Sequence, residues 1–307
     1  MKIIITGALG HIGSYLIRNL KLINKIDTLY LIDNLSSERY GSLYDLKKSH
    51  YQFIDSDLSK EKIKIKKVDL IIHLAARTNA AQSSKYEKEF YDNNLKATKN
   101  IVEYCINTKT KLIFASTTSV YGPQSKYVDE DCSDKDLNPQ SPYADVKLIE
   151  EKYIIKKFKN IKNSFLILRF GTVFGFSPGM RFHTAVNKFC FQACAKKPLT
   201  IWRTAYNQNR PYLSLKDLSK SISHIINKKL INNNIYNIVS RNMSVKELIN
   251  IIRKYTKLNI KYVDHEIMNQ LSYNVLNEKF KSTGFKFEEN ISSSIKEIIN
   301  KLIKISK

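Results

Sequence analysis

KIIITGALGHIG, residues 2–13, decides the fold. The apolar run at 2–6 reads as a strand, and a helix begins near His11. Between them lie Gly7 and Gly10, with Gly13 following at the same spacing of three. Glycine lets a backbone turn tightly and approach a diphosphate, whose charge is favoured by the free amides of a helix N-terminus. At the end of the next strand stands Asp33 in YLIDNLSS, twenty residues past Gly13. A carboxylate there can accept hydrogen bonds from an adenosine ribose. Strand, glycine loop, helix, strand and acid in that order predict a dinucleotide site. A carboxylate at Asp33 would repel a 2′-phosphate, which favours NAD over NADP.

Outward from this unit the first half alternates short apolar runs with amphipathic stretches, the pattern of a parallel sheet covered on both faces. Strands are predicted at 2–6, 28–32, 51–54, 69–73, 111–116 and 164–169, with the clearest helices at 89–107 and 143–158. The fold class is therefore α/β, a doubly wound parallel sheet of the Rossmann type. After residue 170 the texture changes: Gly171, Gly175, Pro178 and Gly179 crowd together. A helix is predicted over 184–196, another opened by Ser214 or by Lys216-Asp217, a strand at 235–239, and helices near 245–256 and 292–305. Residues 1–170 are read as the NAD-binding domain. Residues 171–307 form mainly a smaller C-terminal substrate lobe, with some segments returning to the sheet.

Composition bounds the rest. A chain of 307 residues with 43% hydrophobic content can bury a large α/β core. The formal charge of +23, from 51 basic and 28 acidic residues, would attract polyanions. Its lysines are scattered among Ile and Asn along the whole length, so they read as compositional bias, and a nucleic-acid partner is disfavoured. Cys105, Cys132, Cys190 and Cys194 form no CxxC pair and read as reduced thiols. Cys190 and Cys194 follow His183 but lack further convergent ligands, so no metal is assigned. The chain opens directly on an apolar strand, and no apolar run approaches the ~20 residues of a membrane span, so a cytoplasmic protein without a membrane segment is expected.

Two further features carry chemistry. In SPYADVK, Tyr143 and Lys147 stand at i and i+4, one above the other on a helix, where an ammonium can stabilise tyrosinate and pull the phenol below its ordinary ~10. That would make a general base, although a surface Tyr–Lys pair is also compatible with a chain holding 18 tyrosines. In FASTTSVYG, Thr117 follows the strand 111–116 and offers a hydroxyl at the carboxyl edge of the sheet, where α/β sites lie.

The order of TGALGHIG, Asp33-Asn34-Leu35, HLAA at 73–76, NLKATKN at 94–100, STTSVYG at 116–122, YxxxK at 143–147 and LRFGTVFG at 168–175 resembles the extended short-chain dehydrogenases/reductases acting on nucleotide sugars, the NAD-dependent epimerase/dehydratase group. RPYLSLKDL at 210–218, IYNI at 235–238 and TGFKFEENISSSIKEII at 283–299 extend the resemblance over nearly the whole chain. It implies that NAD is held by Gly7, Gly10, His11, Ile12, Gly13, Asp33, Asn34, Asp57, Leu58, Leu74, Ala75 and Ala76, with Tyr143 and Lys147 at the nicotinamide end. Thr117, Tyr143 and Lys147 are implied as the catalytic set. A nucleotide-diphosphate sugar would meet Thr117, Thr118, Thr172, Arg181, Asn187 and Arg210. SPGMR at 177–181 resembles a subgroup of these enzymes with an SPxMR turn.

The activity so implied is epimerisation of a nucleotide sugar through a 4-keto intermediate, with net C4 dehydrogenation or reduction as the alternative. A non-catalytic NAD-binding sensor or RNA-binding scaffold is the alternative of another class. Two departures from the family pattern matter. The 4,6-dehydratases of this group carry an Asp-Glu pair after the active-site threonine, whereas here Thr118 and Ser119 follow Thr117, which disfavours dehydration. Leu271 stands where relatives offer an arginine to the diphosphate, leaving Arg181 and Arg210 to supply positive charge. Relatives pair through the two helices corresponding to 89–107 and 143–158, so a homodimer is expected.

Overall fold

A computed structural model describes residues 1–20, 25–46, 51–124, 127–264, 272–288 and 290–303. In chain order the first half gives β1 (Lys2–Thr6), α1 (His11–Asn19), β2 (Thr28–Asp33), β3 (Tyr51–Asp55), β4 (Leu70–His73), α2 (Ala80–Ser83), α3 (Glu87–Thr108), β5 (Lys111–Thr117), β6 (Tyr127–Val128), α4 (Pro142–Lys157) and β7 (Phe165–Phe170). The second half gives β8 (Thr172–Phe174), α5 (Ala185–Cys194), β9 (Leu199–Trp202), β10 (Asn209–Ser214), α6 (Leu215–Lys228), β11 (Asn234–Ile238), β12 (Arg241–Ser244), α7 (Val245–Arg253), β13 (Ile260–Val263), β14 (Asn274–Val275), α8 (Glu278–Lys281) and α9 (Ser292–Ile303).

Seven strands form one sheet in the order β11-β7-β5-β4-β1-β2-β3, and every pairing in it is parallel. Ile3, Ile4 and Ile5 of β1 and all six residues of β7 are buried, as strands covered on both faces must be. The chain winds from β1 outward through β2 to β3, then returns to the other side of β1 with β4 and runs out through β5 and β7. Strand order therefore reverses between β1 and β4, and the crevice at their carboxyl ends is where such sheets hold ligands.

The predicted strands and helices of the first half are present with ends moved by one or two residues. The strand at 235–239 is β11, which leaves the C-terminal half to become the seventh strand beside β7. The helix predicted over 184–196 stops at Cys194, and Lys196 takes a left-handed backbone conformation. The helix near 245–256 ends at Arg253, and α9 is described as far as Ile303. Of the two openings considered for α6, Ser214 caps it, its hydroxyl accepting the Asp217 N–H at 3.0 Å.

The remaining strands make small sheets, β12-β10-β8, β13-β9 and β14-β6, beside the carboxyl ends of the large one. Phe174, Val186, Phe189, Leu248, Ile295 and Ile298 belong to the core beneath them. No described helix is long and apolar enough to cross a membrane.

Candidate active site

A cavity of about 1540 Å³ opens at the carboxyl end of the large sheet and extends to β9 and β10. Its floor at one end is the glycine loop. Gly7 has φ of +62°, and a Cβ on it would lie 2.8 Å from the Ala75 amide nitrogen. A Cβ on Gly13 would lie 2.5 Å from the carbonyl oxygens of both Gly7 and Ala8. Gly10 caps α1 with no side chain, and His11, Ile12 and Gly13 line the cavity, so the first amides and the positive end of the helix dipole face it.

Asp33, at the end of β2, is 9% exposed. Its carboxylate accepts the Leu9 N–H at 3.0 Å and the Leu35 N–H at 3.1 Å, which fixes it on the wall with acceptor capacity remaining. Asn34, Asp57 and Leu58 line the same end, and Leu74, Ala75 and Ala76 the adjoining strip. The Leu74 and Ala75 amides each donate to Thr6 Oγ1 at 3.1 Å, which ties that strip to β1. An anion cradle with no room for a Cβ, next to a fixed carboxylate, fits the diphosphate and ribose of NAD. Arg39 is an addition that the sequence reading lacks. It lines the cavity beside Asp33, and its guanidinium lies 3.9 Å from the position of a Cβ on Gly10. Its only sequence signal is its place just past Ser36 and Ser37 in the turn that leaves β2.

Thr117, Tyr143 and Lys147 come together on the opposite wall. Thr117 ends β5, and its hydroxyl accepts the Ser119 N–H at 3.1 Å. Ser141 caps α4 by accepting the Ala144 N–H at 3.2 Å, and Pro142 opens the helix, so Tyr143 sits in its first turn and Lys147 one turn further in. The Lys147 ammonium is buried, 4.4 Å above the Phe114 ring and 3.1 Å from Glu150 Oε2. Glu150 is fully buried and was not among the residues expected at the site. The signal for it is the doublet Glu150-Glu151, three and four residues past Lys147 on one helix.

Glu151 takes a structural partner instead. Its carboxylate receives the Arg169 guanidinium at 2.7, 3.1 and 3.2 Å and also the Ser116 hydroxyl, which pins α4 to β5 and β7. Burial works against the Arg169 charge, but Glu151 and Tyr121 hold the guanidinium firmly protonated.

On the substrate side Thr172, Arg181 and Arg210 line the cavity. Arg181 donates to Thr78 Oγ1, and its Nε has no partner among the described residues. Burial pushes the Arg181 guanidinium below its ordinary range, and Tyr143, which lines the same cavity, opposes that fall. His183 also lines the wall and is held down to about 4, first by burial and then by Arg181 and Arg39.

Two expected substrate contacts lie elsewhere. Thr118 is turned away from the cavity, its hydroxyl donating to the Phe170 carbonyl at 3.3 Å, and Ser119 takes the place on the wall. A short helical turn after Thr117 rotates the side chains by roughly a third of a circle per residue, which a linear motif does not reveal. Asn187 is fully buried: its Oδ1 accepts the Gly175 N–H at 3.2 Å and its Nδ2 donates to the Arg181 carbonyl at 3.0 Å. It therefore staples the loop that carries Arg181. The His11 ring joins this staple, with Nδ1 2.9 Å from Ser177 Oγ, so the contribution of His11 to the glycine loop is its backbone. Leu271 lies outside the described residues.

A parallel α/β sheet with a diphosphate cradle at its switch point, an acid on the second strand and a Tyr–Lys pair on the facing wall defines a nicotinamide-dinucleotide enzyme. Residues 3–239 match the NAD dependent epimerase/dehydratase family, and the chain belongs to it. A dTDP-D-glucose 4,6-dehydratase of Dictyostelium discoideum is 31% identical over 279 residues, 81% of this chain and 62% of its own length. The chain thus spans under two thirds of that relative. A putative UDP-glucose 4-epimerase of Methanocaldococcus jannaschii is 29% identical over 313 residues, with 97% of each chain covered. Among solved structures, the UDP-glucuronic acid 4-epimerase of Bacillus cereus in complex with UDP-glucuronic acid and NAD superposes with a TM-score of 0.86 at 26% identity, over 99% of this chain and 100% of that one.

Proposed function

We propose that this chain is an NAD-dependent nucleotide-sugar 4-epimerase that works through a 4-keto sugar. The observation that carries the reading is the convergence of Thr117, Tyr143 and Lys147 on one wall of a cavity whose other end is the glycine cradle and Asp33. NAD, when bound, supplies reversible oxidation of the sugar carbon. Tyr143 takes the proton of the C4 hydroxyl and returns it when the ketone is reduced. Thr117, its hydroxyl held by Ser119, orients that hydroxyl. Lys147, held by Glu150 on the same wall, orients the nicotinamide ribose. Arg181 and Arg210 offer positive charge to the sugar nucleotide. Epimerisation requires that the ketone turn over before it is reduced on its other face, and a cavity of about 1540 Å³ is consistent with that room.

Hydroxyl side chains at Thr118 and Ser119 support epimerisation over 4,6-dehydration, because neither can serve as the acid or base of an elimination. The dTDP-D-glucose 4,6-dehydratase among the relatives makes this a point to test directly. The same reading takes the protein as a cytoplasmic homodimer paired through α3 and α4, where Ile149 and Ile155 are exposed on α4; sedimentation velocity reads that state. Since a solved relative binds UDP-glucuronic acid and NAD, UDP-sugars are the first substrates to try. Tyr143→Phe should abolish 4-epimerisation while NAD still binds. Undiminished turnover in that variant would refute the assignment of the base.

A further inference from the structure

A continuous line of buried polar groups runs beneath the active-site wall. The Leu74 and Ala75 amides donate to Thr6 Oγ1, which lies 2.7 Å from His73 Nδ1. His73 Nε2 lies 3.2 Å from Thr98 Oγ1, Thr98 donates to Glu150 Oε1, and Glu150 Oε2 ends the line 3.1 Å from the Lys147 ammonium. Thr6, His73, Thr98, Glu150 and Lys147 are each at most 3% exposed.

The direction of the protons follows from simple inventory. Burial, then the Lys147 charge, keeps His73 neutral, so one ring nitrogen donates and the other accepts. The single Thr98 proton is committed to Glu150, so Thr98 accepts from His73 Nε2, and Nδ1 accepts from Thr6. Every donor in the line points toward Glu150, the arrangement that an anion at that end demands.

We propose that Glu150 is the counter-ion of Lys147 and a positioning residue for the Tyr143–Lys147 pair. It fixes the ammonium at the wall and offsets its charge, so that Lys147 stabilises a tyrosinate at Tyr143 less than an unpaired lysine would. An unpaired ammonium stabilises a nearby tyrosinate, whereas a neutral ion pair does so weakly. The other charges facing this point do not replace it. His73 from β4 is neutral, β5 offers the Phe114 ring and α3 the uncharged Thr98. On α4 itself, Glu151 is consumed by Arg169 of β7. Arg181, from the segment after β8, lines the same cavity and is present whether or not Glu150 is charged. Burial raises the Glu150 carboxyl above the ordinary carboxylate range against the pull of Lys147 and Thr98, so its charge depends on both partners.

This inference rests on Tyr143 as the base, and its test is read without turnover. In cofactor-stripped protein the ultraviolet band of tyrosinate is titrated with pH, and the Tyr143 signal is taken as the difference from the matching Tyr143→Phe chain. Glu150→Gln keeps the shape and the bond to Thr98 but loses the charge. Its Tyr143 midpoint should fall by about one pH unit or more, and the acid limb of kcat/KM should move down with it. Glu150→Asp, which restores the anion, should return the midpoint toward wild type. An unmoved midpoint in Glu150→Gln, or an equal fall in the Asp and Gln variants, overturns the proposal. Should the Gln variant not fold, Thr98→Val serves in its place, with a fall expected and no fall overturning it. Persistent turnover in Tyr143→Phe would instead defeat the assignment of the base, a separate result.

Discussion

Gly13→Ala tests the join between fold and cofactor in one methyl group. The added Cβ would lie 2.5 Å from the carbonyl oxygens of Gly7 and Ala8 and 2.7 Å from the Ala8 carbonyl carbon, all backbone atoms. Carbon atoms in contact sit about 3.5–4.0 Å apart, so the start of α1 must move away from the loop by about 1 Å. Overpacking of that kind costs about 1–3 kcal/mol of stability. A displacement of about 1 Å in a positioned group costs on the order of a hundredfold in function, so NAD should bind about a hundredfold more weakly, or about 2.7 kcal/mol. Gly41→Ala is the matched control, since nothing lies within 4 Å of its added Cβ, and it should leave both quantities unchanged. Calorimetric titration of NAD into cofactor-stripped protein reads the affinity, and urea unfolding reads the stability. A folded Gly13→Ala protein that binds NAD within about threefold of wild type would show that the loop does not hold the diphosphate as argued.

The large sheet was readable because its signals are local. Each strand is an apolar run, each helix an amphipathic one, and Gly13 and Asp33 are fixed by spacing along the chain. The small sheets were not readable, for β6, β8 and β14 span two or three residues and pair with partners far away in sequence, such as Thr172 with Tyr212. At the site, Tyr143, Lys147 and Thr117 were legible because a helix or a strand end sets their direction. The Thr118 and Asn187 side chains lie off the cavity wall for the converse reason: a helical turn and a loop staple point them inward, and only tertiary contacts determine that. Glu150 was hidden by its neighbour. Two adjacent glutamates on a helix look interchangeable in the sequence, yet one pairs with Lys147 beneath the cavity wall and the other with Arg169 of the sheet.

The remaining predictions concern stability. Burial, then Lys147, holds His73 down to about 3 in the folded protein against an ordinary 6.5, so the unfolded chain binds the extra proton between those values. Its contribution is complete above pH 6.5 and lost as pH falls toward 3. At about 1.36 kcal/mol per pH unit, urea unfolding should show wild type losing about 2 kcal/mol more than His73→Asn between pH 7 and 5, and parallel losses would refute it. The Arg169–Glu151 pair is the stronger case, because Arg169 is 3% and Glu151 1% exposed. Glu151→Leu leaves a buried guanidinium with no carboxylate partner, held by the Tyr121 hydroxyl 2.9 Å away and by the Cys132 thiol, and should cost about 3–5 kcal/mol. Adding Arg169→Met removes the stranded charge along with its desolvation penalty. The double variant should therefore be more stable than Glu151→Leu alone, even though it carries one more substitution. If the losses of the two single variants simply add, the cost lies in packing around α4 and not in an uncompensated charge.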